Sequence, residues 1–310
     1  MPLTAFTNVF AGNPLDRASD KRGTADFIAQ ALADRDSLAV ALWNGKPLLE
    51  TSPQGAPRIA YLAAPMAAEL AGGAERLLFL GLWKSTAVFA IDLEGAADPA
   101  EGPLQGLGAF EDLRQAAVRL DGGEAAILAT AKAMFEWRRR HRHCAACGAP
   151  SEPAEAGWKR ICPVCKAEHF PRTDPVVIML PVKGERCLVG RQAIWPPQMY
   201  SALAGFLEPG ESIEEACARE LREEAGLIAV KVHYHSTQPW PYPSSLMIGL
   251  VAEVESEAAV ADGVELEDVR WLSREEARAM IGGQLSDAKA PGGLAIAHQL
   301  IRAWAEGWPG

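Results

Sequence analysis

The segment that most constrains this 310-residue chain is an acidic run between glycines, GFLEPGESIEEACARELREEAGL, from Gly205 to Leu227. Ser212 followed by Glu215 is a capping box, in which two side chains satisfy backbone amides at the start of a helix. Ile213, Cys217 and Leu221 recur every four residues as an apolar stripe, and Gly226 suits the left-handed residue that closes a helix. The sequence therefore predicts an amphipathic helix of about three turns. Away from the stripe, Glu220 and Glu224 lie one turn apart, and Glu223 sits one turn after Glu220. Carboxylates crowded in this way need a cation. Hard oxygen donors with room for water suit Mg²⁺ or Mn²⁺, which can bridge to phosphate oxygens. The competing reading of EELREE alone is a solvated acidic helix, because Glu is a good helix former and charge runs usually face water.

Spacing decides between the two. Gly205 is followed after five residues by Glu211, after seven more by Arg219, Glu220 and apolar Leu221, then by Glu223, Glu224, Gly226 and Leu227. At each of these positions the segment resembles the Nudix hydrolase family. The resemblance implies an α/β fold, a Nudix α/β/α sandwich with a mixed sheet, in which a metal site lies on this helix. Glu220 and Glu224 are then metal ligands, with the backbone carbonyl of Ala204 and a carboxylate from a later loop completing a site for two or three Mg²⁺ or Mn²⁺ ions. Glu265, in GVELEDVRW six residues before Trp271, matches that later position, with Glu267 and Asp268 as close competitors. Glu223 holds a water or a metal, and the general base stays open. Arg219 and Glu211 are expected to pair and fix the approaching loop onto the helix.

Upstream, Cys144 and Cys147 are separated by two residues, as are Cys162 and Cys165, with fourteen residues between the pairs. Each pair clips one edge of a tetrahedron, and the loop lets the clips face each other as in a zinc ribbon. With four sulfur ligands no position is left for water, so one structural Zn²⁺ is expected. Cys187 and Cys217 stand alone in apolar surroundings and read as small core residues. The run before the ribbon, WRRRHRHC, either touches a phosphate or RNA, or is a solvated helix C-terminus that complements the macrodipole; the second is preferred.

After the acidic helix comes STQPWPYPSSLM. Three alternating prolines stiffen the chain and remove backbone donors, which reads as a rigid surface loop rather than a strand interior. The segment resembles the SQPWPFPxS signature of the NADH pyrophosphatases within the Nudix family, with Thr237 beside the matching serine and Tyr242 where phenylalanine is usual. That resemblance assigns Gln238, Pro239, Trp240, Pro241, Tyr242, Pro243, Ser244 and Ser245 to a dinucleotide pocket, with Phe170 and Ala297 as further contacts. A structural turn or a proline-rich ligand for another protein is the alternative.

Three parts are expected: residues 1–125 as an N-terminal α+β domain, 126–172 as a helix plus zinc ribbon, and 173–310 as the Nudix domain. The first carries strand-like runs SLAVALW, RIAYLAA and RLLFLGLWKSTAVFAIDL, the last a hairpin, but no chemical motif. From Ala109 to Arg142 the pattern is helical, with Gly122 and Gly123 as an interruption. A net charge of −10 argues against a broad electropositive face for nucleic acid or anionic lipid. No apolar run approaches the roughly 20 residues of a membrane span. The start lacks a basic, apolar and small-residue succession, so no secretory leader is expected and the protein is read as cytoplasmic.

Together these readings imply hydrolysis of the diphosphate of NADH or NAD to AMP and nicotinamide mononucleotide, with removal of NAD caps from RNA as a related activity and a homodimer as the assembly. Two other readings compete: a Nudix hydrolase of ADP-ribose or another nucleoside diphosphate derivative, against which the proline loop argues, and a non-catalytic RNA-binding or regulatory protein, against which the intact glutamates argue.

Overall fold

The computed structural model describes residues 8–51 and 55–308, which fall into two units. One spans Phe10–Thr173 and takes in Trp240–Ser244; the other holds Asn8, Val9, Asp174–Pro239 and the chain from Ser245 onward.

In the first unit, apolar residues in short runs make strands β1 (Leu38–Trp43), β2 (Lys46–Thr51), β3 (Pro57–Ile59), β4 (Leu62–Ala63), β5 (Leu77–Trp83), β6 (Thr86–Leu93) and β7 (Ala109–Phe110). They form one sheet ordered β3-β2-β1-β6-β5, with β4 on β1 and β7 on β2. The pair β1 and β6 is parallel, and the β5–β6 hairpin turns at Lys84, as WKST suggests. Helices α1 (Ala25–Ala33) and α2 (Ala64–Ala71) cover this sheet through Phe27, Ile28, Ala64 and Ala67. RIAYLAA is thus only partly strand, since its last residue already belongs to α2.

A short helix α3 (Leu113–Ala116) precedes α4 (Gly122–Arg140). The helical pattern is interrupted just before the two glycines, which themselves open α4, where Asp121 caps the amide of Gly123 at 2.9 Å. The far end also departs from expectation. Arg138 is not solvated but 3% exposed, donating to the carbonyls of Leu77 and Ala74. Three short strands, β8 (Glu152–Ala154), β9 (Lys159–Ile161) and β10 (Glu168–His169), form the antiparallel ribbon sheet.

The second unit is organised on β11 (Asp174–Lys183), flanked by β12 (Arg186–Arg191) and β13 (Leu203–Phe206). After α5 (Ile213–Ala225) come β14 (Ala229–Trp240), β15 (Ser245–Val254), β16 (Asp268–Ser273), α6 (Arg274–Ile281) and α7 (Ile296–Ala305). The sheet runs β14-β15-β11-β12-β16, with β13 on β11; β11 is parallel to β15 and antiparallel to β12 and β13, and β12 is antiparallel to β16.

Alternation along β11 feeds two cores. Val177 and Met179 pack with Cys217 and Leu221 of α5, while Ile178, Leu180 and Val182 pack with Met280 of α6 and Leu300, Ile301 and Trp304 of α7. The result is the expected α/β/α sandwich with a mixed sheet. Each fully buried Leu or Ile of these layers contributes about 1.5–3 kcal/mol against exposure. Cys187 and Cys217 are fully buried, as core residues should be. The proline segment differs from a plain surface loop, because β14 continues through Gln238 and Pro239 to Trp240. Proline is tolerated there because β14 is the edge strand.

Candidate active site and zinc centre

Helix α5 begins at the Ser212–Glu215 capping box, with both reciprocal hydrogen bonds formed, and ends at Gly226 with φ 66°. These ends set the rotation of the helix, and the stripe of Cys217 and Leu221 pins it to the sheet, so Glu220 and Glu224 are held at its border with β13. They are 7% and 2% exposed. Gly205 of β13 explains how two carboxylates fit: a Cβ at that position would overlap the Glu220 carboxylate. The missing side chain lets the strand backbone lie against Glu220, which brings the Ala204–Gly205 peptide beside it.

Arg219 organises the acidic residues around it. Its guanidinium makes a fork to Glu211 at 2.6 and 2.9 Å and donates to the carbonyl of Phe206 at 2.8 Å, tying the glycine-containing loop to the helix. It also reaches Glu220 at 2.7 Å and Glu223 at 3.1 Å. That pairing holds the Glu211 carboxyl down to about 2. Glu224 has no such counter-charge. Burial pushes its carboxyl up to about 8, with Glu220, Glu265 and Asp262 adding repulsion. Glu220 is raised as well, chiefly by burial. Glu224 Oε2 is buried and makes no hydrogen bond among the described residues. A divalent cation would satisfy that oxygen and relieve the repulsion, so the donor set fits a hard metal ion.

Of the later acidic residues, the structure brings Glu265 to the site, where its charge acts on both Glu220 and Glu224. Glu267 pairs instead with Arg191, and Asp268 accepts from the Tyr200 hydroxyl. Sequence reasoning missed Asp262. Its carboxylate accepts the amides of Glu265 at 3.1 Å and Leu266 at 2.9 Å, and its own amide bonds the Glu224 carbonyl at 3.2 Å. The Asp262-Gly263 dipeptide was the available signal, since such pairs fold back onto their own backbone.

The residues of the proline segment divide into two groups. Gln238 is 1% exposed, and both its amide hydrogens are spent on the carbonyls of Val9 at 3.0 Å and Leu294 at 2.8 Å. Its oxygen accepts from Ile296 at 2.9 Å, at the start of α7. Ser245 lies in register with Asp174, and Ala297 is buried in the α7 core. Trp240 and Tyr242 instead join Phe10 in an aromatic cluster with centroids 5.3–6.3 Å apart. Arg114 stacks 4.0 Å over Tyr242, and Lys132 lies 5.4 Å from the same ring. These two cations were not anticipated. Pro241 is buried, Pro239, Pro243 and Ser244 are partly buried, and Phe170 is 63% exposed.

The sulfurs of Cys144, Cys147, Cys162 and Cys165 all lie within 4.8 Å of one another. Cys144–Cys165 and Cys147–Cys162 are 3.5 Å apart, close to the edge of about 3.8 Å in a tetrahedral zinc–thiolate site. His169 Nε2 stands 3.3 Å from the Cys144 sulfur, an outer partner that orients a ligand. The amide of Cys165 helps hold the Cys162 thiol down to about 6, which favours the thiolate that zinc requires.

Family models match the chain along most of its length. One described as a NUDIX domain covers residues 171–290, one described as an NADH pyrophosphatase-like rudimentary NUDIX domain covers 36–137, and one described as an NADH pyrophosphatase zinc ribbon domain covers 139–170. A Macaca fascicularis protein named NAD-capped RNA hydrolase NUDT12 is 43% identical over 200 residues, 61% of this chain and 43% of the relative. The NAD-capped RNA hydrolase NudC of Mycobacterium bovis (strain BCG / Pasteur 1173P2) is 42% identical over 203 residues, 63% of this chain and 64% of the relative. The chain thus matches less than two thirds of the length of either. The NUDT12 protein of Pongo abelii is 34% identical over 337 residues, 96% of this chain and 73% of the relative.

Proposed function

This chain belongs to the NADH pyrophosphatase family of Nudix hydrolases, which carries a zinc ribbon, and on that premise we propose that it hydrolyses the diphosphate of NADH and NAD to nicotinamide mononucleotide and AMP, including NAD attached to RNA as a cap. The carrying observation is the pair Glu220 and Glu224, buried one turn apart with a Glu224 oxygen left without a partner. The relatives' names support the substrate class.

In this reading Glu220, Glu224, Glu265 and the Ala204 carbonyl hold two or three Mg²⁺ or Mn²⁺ ions. When bound, these supply charge neutralisation at the diphosphate oxygens and polarise phosphorus toward water. Glu223, exposed at the edge of the cluster, orders a water or a metal. Arg219 keeps the loop and helix in register, and Asp262 positions Glu265 through its backbone amide. We assign dinucleotide recognition to Phe170, Pro239, Trp240, Pro241, Tyr242, Pro243, Ser244, Ser245 and Ala297. Gln238 serves it by seating Leu294 and Ile296.

We further propose the division 1–125, 126–172 and 173–310, a homodimer and cytoplasmic residence. No helix of the described residues is long and apolar enough to cross a membrane. Exposed Val230 and Tyr234 on edge strand β14 support association between copies, which light scattering would measure. Hydrolysis of NADH, NAD, ADP-ribose and NAD-capped RNA, compared with Mg²⁺ and Mn²⁺, tests the activity. Cleavage of the dinucleotides between their phosphates is expected. If ADP-ribose alone is cut, the substrate assignment fails; if nothing is cut, the hydrolytic reading fails.

A further inference from the structure

The basic run that ends α4 has no use in the reaction above. The structure gathers Arg138, Arg139 and Arg142 from it with Arg76 and Arg160 around a cleft of about 410 Å³, within the size range of small-ligand sites. Phe135 and Asp92 line the same cleft.

Its arginines exceed their partners. Arg76 and Arg142 share Glu94, each at 3.5 Å, and both keep about half their side-chain surface exposed. Arg160 is committed to Glu75 at 2.7 and 2.9 Å, and Arg139 to Glu136 at 2.5 Å. Arg138 is buried and donates to two carbonyls, and its Nε has no hydrogen-bond partner among the described residues. Five guanidinium groups face four carboxyl groups, Glu75, Asp92 and Glu94 in the lining and the Glu136 that holds Arg139, and burial pushes the Asp92 carboxyl up to about 6. In a chain of net charge −10, a local excess of positive charge with a buried donor left over is the electrostatic form of an anion site.

We propose that this cleft binds a nucleoside monophosphate, the arginines taking the phosphate oxygens and Asp92 accepting from a sugar hydroxyl or base amino group. The occupant is a single nucleotide rather than a strand, because the arginines converge on one enclosure, whereas a strand needs a basic groove that follows successive phosphates. The site stands independently of the hydrolytic reading.

The test uses the full-length zinc-loaded protein with AMP as probe. Hydrogen-exchange mass spectrometry should show AMP protecting residues 74–77 and 137–143. Calorimetry should show this binding weakened by about tenfold or more in R76A/R142A, which removes two charge-assisted contacts from half-exposed positions. Zinc content and circular dichroism establish that the variant is folded, and its NADH turnover should be unchanged. No protection of these segments at millimolar AMP would overturn the proposal. So would protection by an RNA oligonucleotide lacking a 5′-phosphate when AMP gives none, or unaltered AMP binding in the folded variant.

Discussion

Glu224 joins burial, charge and the proposed metal-binding role in one side chain. Replacing it with Gln keeps the volume and removes the charge that a cation needs, so turnover should fall by several kcal/mol of barrier, on the order of 10³-fold, with the fold retained. Steady-state NADH hydrolysis together with circular dichroism checks both halves. The pH behaviour follows from the same group. Its carboxyl titrates near 4.5 when free and at about 8 in the metal-free fold, so the native state holds a proton that the unfolded chain has already released. Its contribution to stability is therefore present below 4.5 and is lost as pH rises through about 8. A metal ion must displace that proton, so apparent Mn²⁺ affinity should weaken by up to about tenfold per pH unit between about pH 8 and 6. Titration followed by water-proton relaxation would measure this, and a flat profile would remove Glu224 from the ligand set. Glu220, Glu224, Arg219 and Glu211 were legible because helical period and charge pairing act over a few residues. Asp262 was not, since its work is to hold the amides of Glu265 and Leu266, which exists only once the loop has folded.

Among the elements, those governed by local rules were read closely: both ends of α5, the β5–β6 hairpin and the cysteine clips. Elements governed by packing were not. Pro239 suggested a break, yet β14 continues through it because an edge strand need not donate on its open side. Arg138 suggested a solvated end, yet the carbonyls of Leu77 and Ala74 draw it inward. Two element-level predictions follow from the partners now known. Cys162→Ser should lose zinc by elemental analysis and loosen β8–β10, detected as faster amide exchange across residues 144–169. Gln238→Ala leaves the Ile296 amide and two carbonyls without their bonds, and should lower unfolding free energy by about 1–3 kcal/mol in urea titrations. An unchanged midpoint would show that water replaces the amide.

Across the whole molecule, the charge of −10 sets how a polyanion approaches. Proteins that hold nucleic acid by many phosphate contacts lose affinity steeply with salt. Here long-range repulsion opposes encounter, and screening within a distance of about 8–10 Å relieves it. At fixed Mg²⁺, kcat/KM for NAD-capped RNA should therefore stay level or rise as KCl increases from about 20 to 150 mM. A steep fall would reveal an extended basic track. The general layout was legible from motif order, but residues 1–125 carried no motif, and the likeness of residues 36–137 to a rudimentary NUDIX domain emerged only from the family comparison.

Asn8 bonds Ser236 and Thr237, and Gln238 bonds Val9 upstream and Leu294 and Ile296 downstream, so one short stretch of β14 fastens pieces of chain more than 200 residues apart. The residues just before Phe10 therefore act as a cleat for the last helix. Trimming them to shorten an expression product, or threading a tag through them, would be felt as a loosened α7 at the opposite extremity of the polypeptide.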